Sequence, residues 1–107
     1  MALFLKHIEN ETGRIYYRVN GEELKGTIVM VHGLAGDSRF FHNQMKYFSS
    51  SYRVISIDLP GHGRSLEYPE LSLESYSSSI NEVIKQENPG RYILIGHSMG
   101  GCICLEH

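Results

Sequence analysis

Arg91-Tyr92-Ile93-Leu94-Ile95-Gly96-His97-Ser98-Met99-Gly100-Gly101 is the stretch that decides how this chain folds. An apolar, β-favouring run from Arg91 to Ile95 leads into Gly-x-Ser-x-Gly at Gly96, Ser98 and Gly100, and a small-residue apolar run follows. A serine at a sharp strand-to-helix turn takes strained backbone angles, and side chains two residues to either side would collide. Glycine at 96 and 100 removes them. The turn lifts the hydroxyl clear of the sheet, and the start of the next helix offers outward N–H groups and a positive dipole end. A negative charge developing beside Ser98 would be stabilised there. The pattern is short and arises by chance in many chains, so its weight comes from the strand before it and the helix after it. Ser98 is the candidate nucleophile.

Upstream of this turn the chain alternates between β and helical periodicities. Thr27 to Val31 is an uninterrupted apolar run ending at His32-Gly33, as expected of a strand covered on both faces. Ser38 to Ser50 switches to helical spacing, with Phe41, Met45 and Phe48 on one face and Asp37 or Ser38 as the cap. Tyr52 to Asp58 returns to a strand, closed by the loop Leu59-Pro60-Gly61-His62-Gly63-Arg64-Ser65. Ser72 then caps a second helix with Leu73, Tyr76, Ile80, Val83 and Ile84 on one face, stopped by Asn88-Pro89-Gly90. Arg91 to Ile95 reads as a third buried strand. At the start of the chain, Leu3 to Ile8 and Arg14 to Asn20 form a hairpin across Asn10 to Gly13. The expected fold class is α/β: a mostly parallel sheet with an N-terminal β-hairpin and flanking helices, joined by right-handed crossovers. Loops after Val31, Asp58 and Ile95 then converge at the carboxyl ends of the strands, where ligands bind in such sheets.

A second motif, Val31-His32-Gly33-Leu34-Ala35-Gly36, follows the first buried strand. Acyl transfer needs two N–H donors aimed at the oxyanion, and losing one costs about 10²–10³ in rate. Met99 N–H, directly after the candidate nucleophile, is one candidate. A loop made supple by Gly33 and Gly36 can place Leu34 N–H opposite it. His32 is expected to hydrogen-bond within its loop rather than act as a base. His97 adjoins Ser98 but points elsewhere on such a turn, and is not expected to be the base either. Core packing is the expectation for both Phe40 and Phe41, with a place at a pocket mouth as the alternative for one of them. Asp58 and His62 could begin a metal site, but no further ligand has a supporting spacing, so neither metal nor cofactor is expected.

Composition removes several other functions. The 107 residues, 41% hydrophobic and 21% charged with a net charge of -2, are ordinary globular material without the basic footprint of a nucleic-acid binder. One domain over residues 1–107 is expected, since no linker or repeat divides the chain. No apolar run approaches the ~20 residues that span a bilayer. The opening MALFLKHIEN is too short in apolar residues for a signal peptide. Cys102 and Cys104 are two apart in an expected helix and do not face each other, which disfavours a disulfide and points to a reducing cytoplasm. No phosphate-cradling glycine loop of the GxxxxGK[ST] type is present.

Together, the His32-Gly33 pair, Asp58 to Ser65 (DLPGHGRS) and Gly96 to Gly101 (GHSMGG) resemble the N-terminal half of the α/β-hydrolase family in order and separation. The resemblance covers almost the whole chain. It implies an eight-stranded sheet, a Ser-acid-His triad in that chain order, a cap domain after the sixth strand, and an oxyanion hole from Leu34 and Met99. It also implies that Asp58, His62 and Arg64 brace the nucleophile turn, with His32, Gly33, Gly96, His97 and Gly100 as supporting loop residues.

The implied activity is a serine hydrolase of the carboxylesterase or lipase type, acting on a small ester or thioester. Thioesterase, proline-releasing aminopeptidase, C–C hydrolase and perhydrolase activities stay open. Haloalkane dehalogenases and epoxide hydrolases are disfavoured, because they place aspartate where Ser98 stands.

The triad acid and base are expected beyond residue 107, along with the cap and C-terminal half. At about 1.5 Å of helix rise per residue, His107 would stand more than ~10 Å from Ser98. Without a base the serine hydroxyl is a poor nucleophile, so these residues alone are expected to be nearly inactive. A non-catalytic fragment or binding scaffold is the alternative. Leu105-Glu106-His107 resembles the junction before a histidine tag, although GGCICLE also continues naturally as a helix. The strand at Arg91 to Ile95 would lack its outer neighbour, leaving an apolar edge open to self-association.

Overall fold

The computed structural model describes residues 3–106. The start Met1-Ala2 and the position of His107 relative to Ser98 lie outside them. Five strands form one sheet: β1 (Leu3–Glu9), β2 (Arg14–Asn20), β3 (Thr27–Val31), β4 (Arg53–Ile57) and β5 (Tyr92–Gly96), in the order β1-β2-β4-β3-β5. Three α-helices accompany it: α1 (His42–Phe48), α2 (Leu73–Glu87) and α3 (Met99–Glu106), with short 3₁₀ turns at Ser38–Phe41 and Gly63–Ser65.

The class is α/β, as expected, but the sheet is mixed rather than mostly parallel. Two of its four pairings, β3 with β4 and β3 with β5, are parallel, while β1–β2 and β2–β4 are antiparallel. The hairpin explains the difference. Asn10 folds the β1–β2 connection by accepting from Thr12 N (2.8 Å) and Gly13 N (3.0 Å) at its side-chain oxygen, so β2 returns beside β1 and meets β4 head to tail.

β3 is central, and its alternate residues serve two cores. Val29 and Val31 join Ile55, Ile57, Ile80, Val83 and Ile103 on the α2–α3 side. Ile28 and Met30 join Phe41, Met45 and Val54 on the α1 side. That two-sided burial is why the β3 sequence carries no polar alternation. β5 departs from the expectation of a buried strand: Tyr92, Ile93 and Ile95 are exposed. It pairs only with β3, so among the described residues one edge stays open and its apolar residues meet solvent.

Helix boundaries follow local chemistry. Ser72 caps α2 by accepting from Ser75 N at 3.0 Å, and the Ser75 hydroxyl accepts from Ser72 N at 3.1 Å. Asn88, in the left-handed region at φ 47°, ends it. Leu73 differs from the expected apolar face: it lies in the first turn and is exposed, whereas Ile80 and Val83 are buried. The predicted helix from Ser38 divides into the 3₁₀ turn, capped by Asp37, and then α1.

At the end of α2, the Glu87 side chain is only 4% exposed and accepts from Tyr17 Oη (2.6 Å), Lys6 Nζ (3.0 Å) and Arg53 Nη1 (3.3 Å). Burial is the main cause pushing the Tyr17 phenol up, with the Glu87 hydrogen bond adding to it. Removing one member of such a buried group strands the others. Glu87→Ala is therefore expected to destabilise the full-length protein by about 3 kcal/mol in urea unfolding. Glu9→Ala, which loses only an exposed pair with Arg14, should cost under ~1 kcal/mol.

Candidate active site

β3, β4 and β5 run parallel and in register, Val31 facing Ile57 on one side and Gly96 on the other, so their following loops open at one end of the sheet. Ser98 lies in the tightest of these, between β5 and α3. Its φ is 57°, in the left-handed region that a residue with a Cβ enters at a cost of about 1–3 kcal/mol. The turn is held by His97 N donating to Val31 O (3.0 Å), Gly100 N to His97 O (2.9 Å) and Gly101 N to Ser98 O (2.9 Å). Ser98 and His97 are exposed.

The two glycines of the motif are required by contact. A Cβ at Gly96 would run into the Gly100 backbone, and one at Gly100 would meet the Val31 carbonyl and stand 2.6 Å from His32 O. α3 thus begins directly over the end of β3. Met99 is the first residue of α3, where a helical N–H has no intrahelical acceptor. On the facing loop, a Cβ at Gly33 would stand 3.2 Å from Ser98 Cβ, so the loop at Gly33 passes directly beside the serine. Gly36 N donates to Gly33 O (3.1 Å), and Ala35 takes a positive φ of 64°, so this loop is a tight turn.

His32 does more than bond within its loop. The fully buried ring pairs through Nδ1 with Gly33 O (2.7 Å), while Nε2 accepts from Leu59 N (3.1 Å). These partners fix the neutral tautomer with its proton on Nδ1, and they tie the Gly33 loop to the loop after β4. Burial pushes the His32 imidazole below its ordinary value, against the opposing pull of the Gly33 carbonyl. The His62 ring lies 5.0 Å away.

The Asp58 carboxylate accepts from Ser38 N (2.6 Å) and Arg64 N (3.3 Å), and Ser65 Oγ donates to Asp58 O (2.7 Å). These contacts turn the Asp58 carboxylate and the Arg64 backbone towards the turn before α1 rather than towards the Ser98 turn, where they were expected, while His62 lies against the His32 ring. β3 separates β4 from β5, so the β4 loop braces the turn before α1, and His32 makes its link towards Ser98. The Arg39 guanidinium, through its side-chain hydrogen bonds, holds Asp37 down at about 2.

Sequence reading assigns no role to buried Ser56 and Ser65, and to buried Ser38 only that of a candidate helix cap. Ser56 Oγ donates to Ser38 O (2.8 Å), and Ser65 Oγ accepts from Tyr16 N (2.9 Å). A hydroxyl in the middle of the apolar YRVISID run was the available signal for Ser56. Phe41 is buried as expected, but Phe40 is not: its ring leaves the core to stack on His97.

Among the described residues, no group of three or more His, Cys, Asp or Glu side chains is placed to hold a metal, and no helix is long and apolar enough to cross a membrane. Cys102 and Cys104 are free thiols, and burial pushes the Cys104 thiol up.

Residues 26–106 match the family described as alpha/beta hydrolase fold. The chain belongs to that family. It is 36% identical over 95 residues to the (E)-2-((N-methylformamido)methylene)succinate hydrolase of Acinetobacter baylyi, covering 88% of this chain and 35% of that protein. It is also 36% identical over 79 residues to the pimeloyl-[acyl-carrier protein] methyl ester esterase of Wigglesworthia glossinidia brevipalpis, covering 74% of this chain and 29% of that one. Among solved structures, the N-acyl homoserine lactonase AidH superposes with a TM-score of 0.87 at 31% identity, over 98% of this chain and 40% of its own. The chain thus spans about a third of the length of the curated α/β-hydrolases it matches.

Two outcomes follow from this geometry. Gly100→Ala should destabilise the full-length protein by about 3 kcal/mol, because the added methyl meets backbone rather than a movable side chain. Gly101→Ala, with no contact nearer than 3.6 Å, should be neutral or stabilise α3 by up to ~1 kcal/mol. His32 sets a pH dependence. The unfolded imidazole takes its proton near the ordinary 6.5, the folded one only at lower pH, so acid favours the unfolded chain. Its contribution is complete above that value and declines below it. Urea midpoints measured from pH 7.5 to 5 should fall less steeply in His32→Gln than in the parent protein.

Proposed function

We propose that this chain carries the nucleophile and oxyanion hole of a serine hydrolase acting on carboxylic esters or thioesters, the carboxylesterase and lipase-like chemistry of class EC 3.1.1. The observation that carries the reading is Ser98 held at positive φ between β5 and α3, with the Gly33 loop within van der Waals reach. The relatives named as an esterase and a lactonase support it, since both names describe ester-bond substrates.

In this reading Ser98 Oγ attacks the substrate carbonyl carbon while its proton passes to a base. The oxyanion takes hydrogen bonds from Leu34 N and Met99 N. Collapse of the tetrahedral intermediate breaks the bond to the leaving alcohol or thiol, which takes the proton, and water then hydrolyses the acyl-enzyme. His32 is spoken for by Gly33 and Leu59, and His97 stacks on Phe40, so neither serves as the base. The base and its acid come, on this proposal, from chain beyond residue 107, as does any cap. Residues 1–107 are read as part of one domain, working in a reducing cytoplasm in which Cys102 and Cys104 stay thiols. Self-association through the open β5 edge belongs to the same reading.

A fluorophosphonate probe should label the full-length protein at Ser98, as located by peptide mass spectrometry. Ser98→Ala should abolish labelling and lower ester hydrolysis by at least ~10³-fold. A protein that hydrolyses esters yet takes no adduct at Ser98 would overturn the assignment.

A further inference from the structure

Apart from the Ser98 turn, a cleft of about 280 Å³ opens between β2, the turn before α1 and the loop after β4. Three arginines line it, each from a different element: Arg18 from β2, Arg39 from the 3₁₀ turn at Ser38–Phe41 and Arg64 from the one at Gly63–Ser65. Surface arginines are ordinary, and most face a carboxylate or water. Two aspartates line the same cleft, yet neither pairs with Arg18. Asp37 is taken by Arg39, accepting from its Nη2 at 2.8 Å and its Nε at 3.1 Å. Asp58 is 1% exposed, and its oxygens are taken by Ser38 N and Arg64 N. Arg18 is half-buried and uses only Nε, which donates to Ser38 Oγ at 2.9 Å.

Among the described residues, the two terminal NH₂ groups of Arg18, Arg39 Nη1 and the Arg64 guanidinium have no acceptor. The buried Ser38 hydroxyl accepts from Arg18 and likewise has no acceptor there for its own proton. An adjoining cleft shares Arg18 and Arg39, and its lining adds Lys46 and no carboxylate among the described residues. The region is therefore positive in a chain whose net charge is -2. A half-buried guanidinium without a counter-charge is costly, and an anion would supply one.

We propose that this cleft binds the phosphate group of a small phosphate or phosphate monoester, held by Arg18 and Arg64 with the Ser38 hydroxyl as a further donor. The site is separate from Ser98 and does not depend on that residue being a nucleophile. Guanidinium forks match phosphate oxygens two at a time and stay charged throughout the working pH range. A carboxylate offers two oxygens in one plane, whereas the donors here come from three elements and suit the three terminal oxygens of a tetrahedral monoester. The volume lies at the lower limit of small-molecule sites, roughly 300 Å³, which favours a head group over a bulky ligand. Asp58 opposes the anion, but two backbone N–H groups already stabilise its charge.

The test is isothermal titration calorimetry on the full-length protein at fixed ionic strength, with inorganic phosphate, phenyl phosphate and acetate as probes. Phosphate should saturate one site with Kd on the order of 1 mM or tighter, and acetate should bind at least ~5-fold more weakly. Arg64→Ala alters an exposed side chain and keeps the backbone N–H on Asp58, so the fold should persist. Arg18→Lys keeps the charge and loses the fork. Each should weaken phosphate by about tenfold. Arg91→Ala, at an exposed arginine outside the cleft, should leave the affinity unchanged.

Equal binding of phenyl phosphate would support the site and assign the phosphate to a larger molecule entering from solvent. Binding of inorganic phosphate alone would support it as a site for the free ion. No saturable binding, acetate binding as tightly as phosphate, or affinity undiminished in both Arg64→Ala and Arg18→Lys would each refute the proposal.

Discussion

The start of α3 lies so close over the end of β3 that there is no room for a Cβ at Gly100, and the rest of the site depends on that contact. It brings the Ser98 turn against the Val31 and His32 carbonyls. Once α3 starts there, Ser98 has to take a positive φ, and the Gly33 loop has to pass beside it. A few backbone atoms in van der Waals contact therefore set the distance between a hydroxyl and a loop of N–H groups. Tertiary packing then holds the strained serine: Ile103, one face along α3, is fully buried in the same core as Val29 and Val31. The strain at one residue is small beside the burial that opposes its release.

A polar frame behind this contact joins the Gly33 loop, the loop after β4 and the turn before α1. His32 links the Gly33 loop to Leu59, the Asp58 carboxylate accepts from Ser38 N, and Ser56 Oγ on β4 donates to Ser38 O. Each of these groups is buried and each is hydrogen-bonded, the condition under which a polar network adds rigidity rather than a desolvation penalty. Because the imidazole of His32 must both donate and accept, only its neutral form completes the frame.

The parts of this arrangement that were legible in the sequence are those fixed by local rules. The β3 run, the Ser72 cap and the Asn88 stop each depend on residues close in the chain, and their positions agree within a residue or so. The Gly96 and Gly100 requirement was legible for the same reason, as steric demands of a turn only a few residues long. What escaped was set by strand order. Nothing local says that β2 pairs with β4 or that β3 separates the β4 loop from the Ser98 turn, whereas the open edge of β5 among the described residues is an expectation of the sequence. The exposure of Ile93 and the redirected role of Asp58 both follow from that order. Phe40 departs from the expected core packing: Phe41 turns towards Met45 in the core, while Phe40, in the 3₁₀ turn before α1, lies outside it against His97.

The anchoring of each loop at its strand end leaves the stretch between Leu66 and Leu71 in a different situation. Most of it is exposed, and only Tyr68 is packed into the core, its hydroxyl accepting from Asn10. Ser65 is fastened to Asp58 on one side and Ser72 begins α2 on the other. Added chain length around Pro69 and Glu70 would therefore be absorbed between two fixed points. In such a molecule, the surface above the sheet can be enlarged or reshaped by insertion while the serine keeps its coordinates.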